Sequence, residues 1–207
     1  APSSVPWPDR GSSATAAFLT GGGNSDPAMN QDAAPLPVVE TFHSLQGEGL
    51  HSGRSAFFIR LAGCNVGCPW CDTKHSWSAT HHPSLSVKQL AQQALTARRS
   101  GAAFVVITGG EPLHQDLAEL TEALNNVCAL PIHLETSGVD PLTGRFDWIT
   151  LSPKRHRPPV QQLLQACHEL KVVVHTSDDI AFALQMEAQC TASTALLLQP
   201  GWDCSEG

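Results

Sequence analysis

Three cysteines, Cys64, Cys68 and Cys71, fall within eight positions in "GCNVGCPWC". Thiolates are soft ligands, suited to iron–sulfur clusters and zinc and poorly matched to magnesium or calcium. Structural zinc is usually held by four protein ligands in two close pairs, whereas the spacing here is Cys-x3-Cys-x2-Cys with no second pair. Three sulfurs leave one coordination position open, and a zinc site completed by His75 is the rival reading. Cys128, Cys167, Cys190 and Cys204 stand alone in the sequence, and each reads as a small packed hydrophobe rather than a ligand.

Further polar motifs could join the cysteine loop. "TGGEP" (108–112), "ETSG" (135–138), "SPK" (152–154) and "QP" (199–200) each follow an apolar run, as the cysteine loop follows "SAFFIRLAG" (55–63). Those runs read as strands: "AFVVI", "IHL", "WITL", "KVVVH" and "ALLL". Helical spacing is expected in "SVKQLAQQALTARRSG", after Asp116 with Glu119 as its cap partner, in "VQQLLQACHEL" and in "DDIAFALQMEAQ". Alternating strands and helices imply parallel strands with right-handed crossovers, in an open sheet or a partial barrel. Segments that follow parallel strands emerge at the same C-terminal edge, so these motifs can share one site.

The chain of 207 residues is 42% hydrophobic, enough for one domain with a real core. A formal charge of −7 disfavours broad attraction to nucleic acid or an anionic membrane and favours a small-molecule partner. No apolar run approaches the roughly 20 residues that span a bilayer, and cytoplasmic placement is expected. Residues 1–36, rich in Pro, Ser, Ala and Gly, read as a disordered extension ahead of a domain over 37–207. The "PKRHRPP" run reads as a solvated loop in which Lys154 alone is singled out, and the pair His81 and His82 as an exposed linker.

"TFHSLQGEG", "FFIRLAGCNVGCPWCDTKHSW", "VVITGGEP", "LETSG", "LSPK" and "LLLQP" occur in that order between Pro37 and Pro200. Together they resemble the 7-carboxy-7-deazaguanine synthase family of radical S-adenosylmethionine (SAM) enzymes. The resemblance implies a partial TIM-like β/α barrel, with Cys64, Cys68 and Cys71 holding a [4Fe-4S] cluster whose open iron takes SAM. It implies that Thr73 binds Mg2+, and that Leu45, Gln46, Gly47, Arg60 and Thr108 meet the substrate. SAM falls to Gly110, Ser152, Pro153 and Lys154, and Glu135 and Ser137 lie with them on stretches that resemble the SAM-binding strand ends.

The implied reaction is ring contraction of 6-carboxy-5,6,7,8-tetrahydropterin to 7-carboxy-7-deazaguanine with loss of ammonia. It begins when a 5'-deoxyadenosyl radical removes hydrogen from C6, and it belongs to queuosine biosynthesis. An electron donor such as flavodoxin or ferredoxin, and a homodimer, are the implied partners. The alternatives are another radical SAM enzyme, such as a glycyl-radical activase, and a zinc-stabilised non-catalytic domain. The family pattern continues past "QP" with a further helix, a strand and a QTHK-like motif, so the chain is expected to be C-terminally truncated and slow to turn over.

Overall fold

A computed structural model describes residues 34–201. The expected extension over residues 1–36 lies outside them apart from its last three positions, as does Cys204. The strands are β1 Leu36–Leu45, β2 Ser55–Leu61, β3 Ser84–Leu85, β4 Phe104–Gly109, β5 Ile132–Thr136, β6 Trp148–Leu151, β7 Glu169–Val174 and β8 Ala195–Pro200. The helices are α1 Val87–Arg99, α2 Ala118–Val127, α3 Gln161–Ala166 and α4 Ser177–Glu187. They build one eight-stranded sheet in the order β3-β1-β2-β4-β5-β6-β7-β8. Strands β2 through β8 in that order are parallel, while β1 runs antiparallel to β2 and β3. Among the described residues the edge strands β3 and β8 do not pair with each other, so the result is an open β/α barrel.

Period-two alternation gives the sheet two chemically different faces. Phe57, Ile59, Leu61, Val105, Ile107, Leu134, Leu151 and Leu170 point to one side and pack with Leu90, Ala91 and Ala94 of α1 and with Leu120 and Leu124 of α2. On the opposite, concave side Ala56, Phe58, Phe104 and Val106 form a small apolar cluster, with Phe42 against it. Helix α1 starts at a capping box in which the Ser86 hydroxyl accepts from Gln89 N–H and the Gln89 side chain reaches back to Ser86 N–H.

Several elements differ from the sequence reading. The run "HEL" is not helical: α3 stops at Ala166 and β7 starts at Glu169, because Glu169 and Leu170 must pair beside Thr150 and Leu151. No helix joins β5 to β6; a loop over residues 137–147 makes that crossover. Asp116 is not the cap residue of α2, which is Leu117, although its carboxylate accepts from Ala118 N–H at 3.0 Å. Cys167 and Cys190, solitary in the sequence, come within 3.8 Å, sulfur to sulfur. Burial pushes the Cys167 thiol up to about 12. His81 ends a short 3-10 turn, and the His82 ring hydrogen-bonds the His75 carbonyl.

Candidate active site at the C-terminal edge

Strand register places polar residues in a row across the concave face. Arg60 lies beside Thr108, Glu135 beside Thr150, and Thr150 beside Glu169. The Thr108 hydroxyl donates to Glu135 Oε2 at 2.8 Å, which closes the row. One step toward the strand N-termini the corresponding row is Phe58, Val106, His133 and Trp148, an aromatic floor. Floor and polar row follow from the same alternation, two residues apart on each strand.

The β1–β2 loop folds onto this face. Gln46 Nε2 donates to Glu135 Oε1 at 2.9 Å, Leu50 N–H donates to Glu169 Oε2 at 2.9 Å, and Glu48 pairs with Lys171. Burial alone would weaken the Lys171 charge, but the Glu48 hydrogen bond and the nearby Glu135 carboxylate hold its pKa above the usual lysine value. Glu169, 2% exposed, is pushed up by burial. These groups enclose a cleft of about 10 Å³, room for one water molecule. Arg60 turns away from the row's centre and pairs with Glu40 at 2.9 Å, while Leu45 is 61% exposed.

The cysteine loop rises from the end of β2 and continues into Thr73. Its three thiols are half-buried and unbridged. Burial raises the Cys64 and Cys68 thiols above their ordinary range, and the neighbouring sulfurs act in the same direction. Thr73 Oγ1 lies 3.6 Å from the Cys71 sulfur. Gly110 must be glycine here, since a Cβ would meet the Gly63 carbonyl oxygen at 2.5 Å and Cys64 Cβ at 3.0 Å. Its missing side chain lets the cysteine loop settle against β4.

Beside the loop opens a cavity of about 630 Å³ lined by Trp70, Pro153, Lys154, His156, Val172 and Phe182, among others. Lys154 Nζ donates to Ser152 Oγ at 2.8 Å. Burial draws its pKa down, against the pull of Cys68.

Glu111 is a structural residue that the motif reading left without a task. It is 1% exposed, and its carboxylate accepts from Ser137 N–H at 2.8 Å, from Leu113 N–H at 3.1 Å and from the Thr136 and Ser137 hydroxyls. It ties the end of β4 to the end of β5 and engages Ser137 fully. The basic run after Lys154 is not a free loop either: His156 and Arg157 hydrogen-bond the cysteine loop backbone, and Arg155 pairs with Asp179.

The donor set fits an iron–sulfur cluster better than a single ion. Three soft thiols share one short loop, the donor type that suits such a cluster, while among the described residues no three His, Cys, Asp or Glu, these cysteines included, are drawn close enough to hold a single metal ion. The remaining described cysteines are elsewhere: Cys128 hydrogen-bonds the Leu124 carbonyl, and Cys167 faces Cys190.

An open β/α barrel carrying a three-cysteine loop on its C-terminal edge is the architecture of radical SAM enzymes, and the Radical SAM superfamily model matches residues 58–173. The chain is 52% identical over 194 residues to the 7-carboxy-7-deazaguanine synthase of Prochlorococcus marinus, covering 83% of this chain and 86% of that one. It is 52% identical over 167 residues to the synthase of Synechocystis sp., covering 81% and 78%, and 34% identical over 188 residues to that of Escherichia coli K12, covering 79% and 84%. The crystal structure of QueE from Escherichia coli superposes with a TM-score of 0.71 at 33% identity, covering 83% of this chain and 87% of that one. The chain belongs to the radical SAM superfamily and, within it, to the 7-carboxy-7-deazaguanine synthase family. It is a radical SAM lyase, and its family implies a [4Fe-4S] cluster and SAM. No described helix is long and apolar enough to cross a membrane.

Proposed function

We propose that the chain converts 6-carboxy-5,6,7,8-tetrahydropterin to 7-carboxy-7-deazaguanine and ammonia, with Mg2+ assisting. The observation that carries this reading is the polar row on the concave face, whose Arg60 and Thr108 stand near the ends of β2 and β4, the strand ends that lead into the cysteine loop and into Gly110 against it. Glu135, Thr108 and Gln46 already form one hydrogen-bonded unit there. A pterin edge with ring and exocyclic N–H donors suits the Glu135 carboxylate, and Arg60, whose guanidinium pairs with Glu40 in the free protein, would exchange that partner to present its planar fork to a carboxylate or a ring heteroatom. Phe58, Val106, His133 and Trp148 lie beneath the polar row, one step nearer the strand N-termini, as an apolar and aromatic base for a flat ring.

Cys64, Cys68 and Cys71 would hold the cluster, which when bound supplies the electron that cleaves SAM and starts the hydrogen abstraction. Gly110, Ser152, Pro153 and Lys154 would contact SAM, the last two lining the cavity beside Trp70. Thr73 offers a hard hydroxyl oxygen for Mg2+, an ion that commonly keeps several waters and takes few protein ligands. Leu45 and Gly47 would meet the substrate through their backbone. The electron would come from a small carrier such as flavodoxin or ferredoxin, and the protein would act as a homodimer.

Anaerobic reconstitution with iron and sulfide, then incubation with SAM, Mg2+, a reductant and the carboxylated pterin, tests the reading. Stoichiometric deazapurine and ammonia are expected. A loaded cluster that cleaves SAM yet leaves the pterin intact would reject this substrate.

A further inference from the structure

Between Cys64 and Cys68 the chain turns through Asn65, Val66 and Gly67. Gly67 sits at φ 76°, a left-handed conformation open to glycine. Burial raises the Cys64 thiol, and the backbone N–H groups of Val66 and Gly67 act on it in the opposite direction. The carbonyls of those same two peptides are gripped from outside the loop. Arg157 Nη1 donates to Asn65 O at 2.8 Å, and His156 Nε2 donates to Val66 O at 3.0 Å. Arg157 also reaches the Asn65 side-chain oxygen. The preceding peptide is fixed as well, because Asn65 N–H donates to His114 Nε2 at 3.3 Å while His114 Nδ1 faces the Asp140 carboxylate.

A trans peptide is planar, with its C=O and N–H on opposite edges, so a donor that pins the carbonyl also aims the N–H. Reduction adds negative charge to a cluster and its sulfurs, and hydrogen bonds to those sulfurs favour the reduced form. We propose that Arg157 and His156 are positioning residues that set the cluster's reduction potential by aiming the Val66 and Gly67 N–H groups at the Cys64 sulfur. The inference rests on Cys64, Cys68 and Cys71 as the cluster ligands. Neither residue needs to touch SAM or the pterin for this effect. His156 also packs edge-on against Trp70, ring centroids 6.0 Å apart, so His156→Phe removes the donor and keeps a ring there.

The test is a redox titration of the reconstituted protein followed by electron paramagnetic resonance, after iron and sulfide analysis. In Arg157→Met the ratio of reduced to oxidised cluster at a fixed poise should fall about tenfold, about 59 mV for a one-electron couple. His156→Phe should shift the same way by about half that interval, and Arg157→Lys should recover only part of the loss. Arg157→Gln, which keeps an amide donor on a shorter stem, replaces Arg157→Met if the latter fails to load four irons, with the same sign expected. Wild-type potentials in the Arg157 variant and in His156→Phe, at full iron content, overturn the proposal. Full recovery in Arg157→Lys with an unshifted His156→Phe also overturns it, because charge alone would then explain the effect. A wild-type protein that loads no four-iron cluster overturns the ligand assignment instead, and the metal analysis shows this before any titration.

Discussion

Gln46 and Glu135, 89 positions apart in the chain, meet in a 2.9 Å hydrogen bond on the concave face of the barrel. Thr108 occupies the other oxygen of the same carboxylate. The side-chain amide of Gln46 presents to Glu135 the type of donor that a pyrimidine edge presents, so the free protein holds the carboxylate ready for exchange. Removing an acceptor of charged hydrogen bonds costs about 1.5–3 kcal/mol, or about 10- to 150-fold in kcat/KM. Glu135→Gln is therefore expected to lose activity in that range, mainly through KM for the pterin, with SAM affinity unchanged. Steady-state kinetics with each ligand varied in turn decide the matter; a defect confined to SAM would move Glu135 to the other ligand.

Glu111 is expected to be a stability residue first. Its buried carboxylate satisfies Leu113 N–H, Ser137 N–H and two hydroxyls, all of which Glu111→Ala strands away from water. Stranding buried donors costs on the order of 3–5 kcal/mol, which for a chain of this size lowers Tm by roughly 10 °C. Glu111→Gln keeps one acceptor oxygen and should lose about half as much. Thermal melts of the cluster-free protein measure both. Equal melting temperatures for wild type and Glu111→Ala would show that the β4–β5 tie does not hold the barrel.

The strands of the barrel were legible because buried β-branched and aromatic runs such as "FFIRL" and "FVVI" have few other readings. Strand β1 was not, since its antiparallel partner and its bulge after Val38 depend on β2 and leave no distinct period in "LPVVETFHSL". The end of α3 was lost for a similar reason: Leu163, Leu164, Leu170 and Val172 are all buried, and only pairing with β6 assigns the later two to a strand. At the site, the cysteines, Thr108 and Gln46 could be picked out by motif. Arg157 and His156 could not, because a basic run predicts solvent exposure, and their partners are backbone carbonyls about ninety positions away. Contacts to backbone leave no complementary residue type for a sequence pattern to show.

Thr73 yields a prediction about magnesium. On the proposed reading the Thr73 hydroxyl, 3.6 Å from the Cys71 sulfur, would contribute one hard oxygen ligand to the ion. Thr73→Ala should raise the Mg2+ concentration for half-maximal turnover about tenfold, the effect typical of losing one ligand or its support. Iron and sulfide content should stay at the wild-type level, because Thr73 is not a thiol ligand. Activity titrations against Mg2+ after chelation test this. Unchanged Mg2+ dependence in the variant would place the ion elsewhere.

His133 should make the fold sensitive to acid. It is 3% exposed, its ring stacks on Phe104 at 4.2 Å, and its Nε2 has no hydrogen-bond partner among the described residues. Burial, reinforced by the positive charges of His51 and Arg54, lowers its pKa from 6.5 to about 3. The folded chain thus keeps His133 neutral at pH values where the unfolded chain has already bound a proton. Its contribution to stability is complete above pH 6.5 and is lost progressively as the pH falls toward 3, on the order of 1.4 kcal/mol per unit. His133→Phe preserves a ring over Phe104 and removes the titration. Denaturant unfolding at pH 7 and at pH 5 should therefore show a drop about 2 kcal/mol larger in wild type than in His133→Phe. Parallel losses in the two proteins would mean that the His133 ring is hydrated in the fold and titrates near its ordinary value.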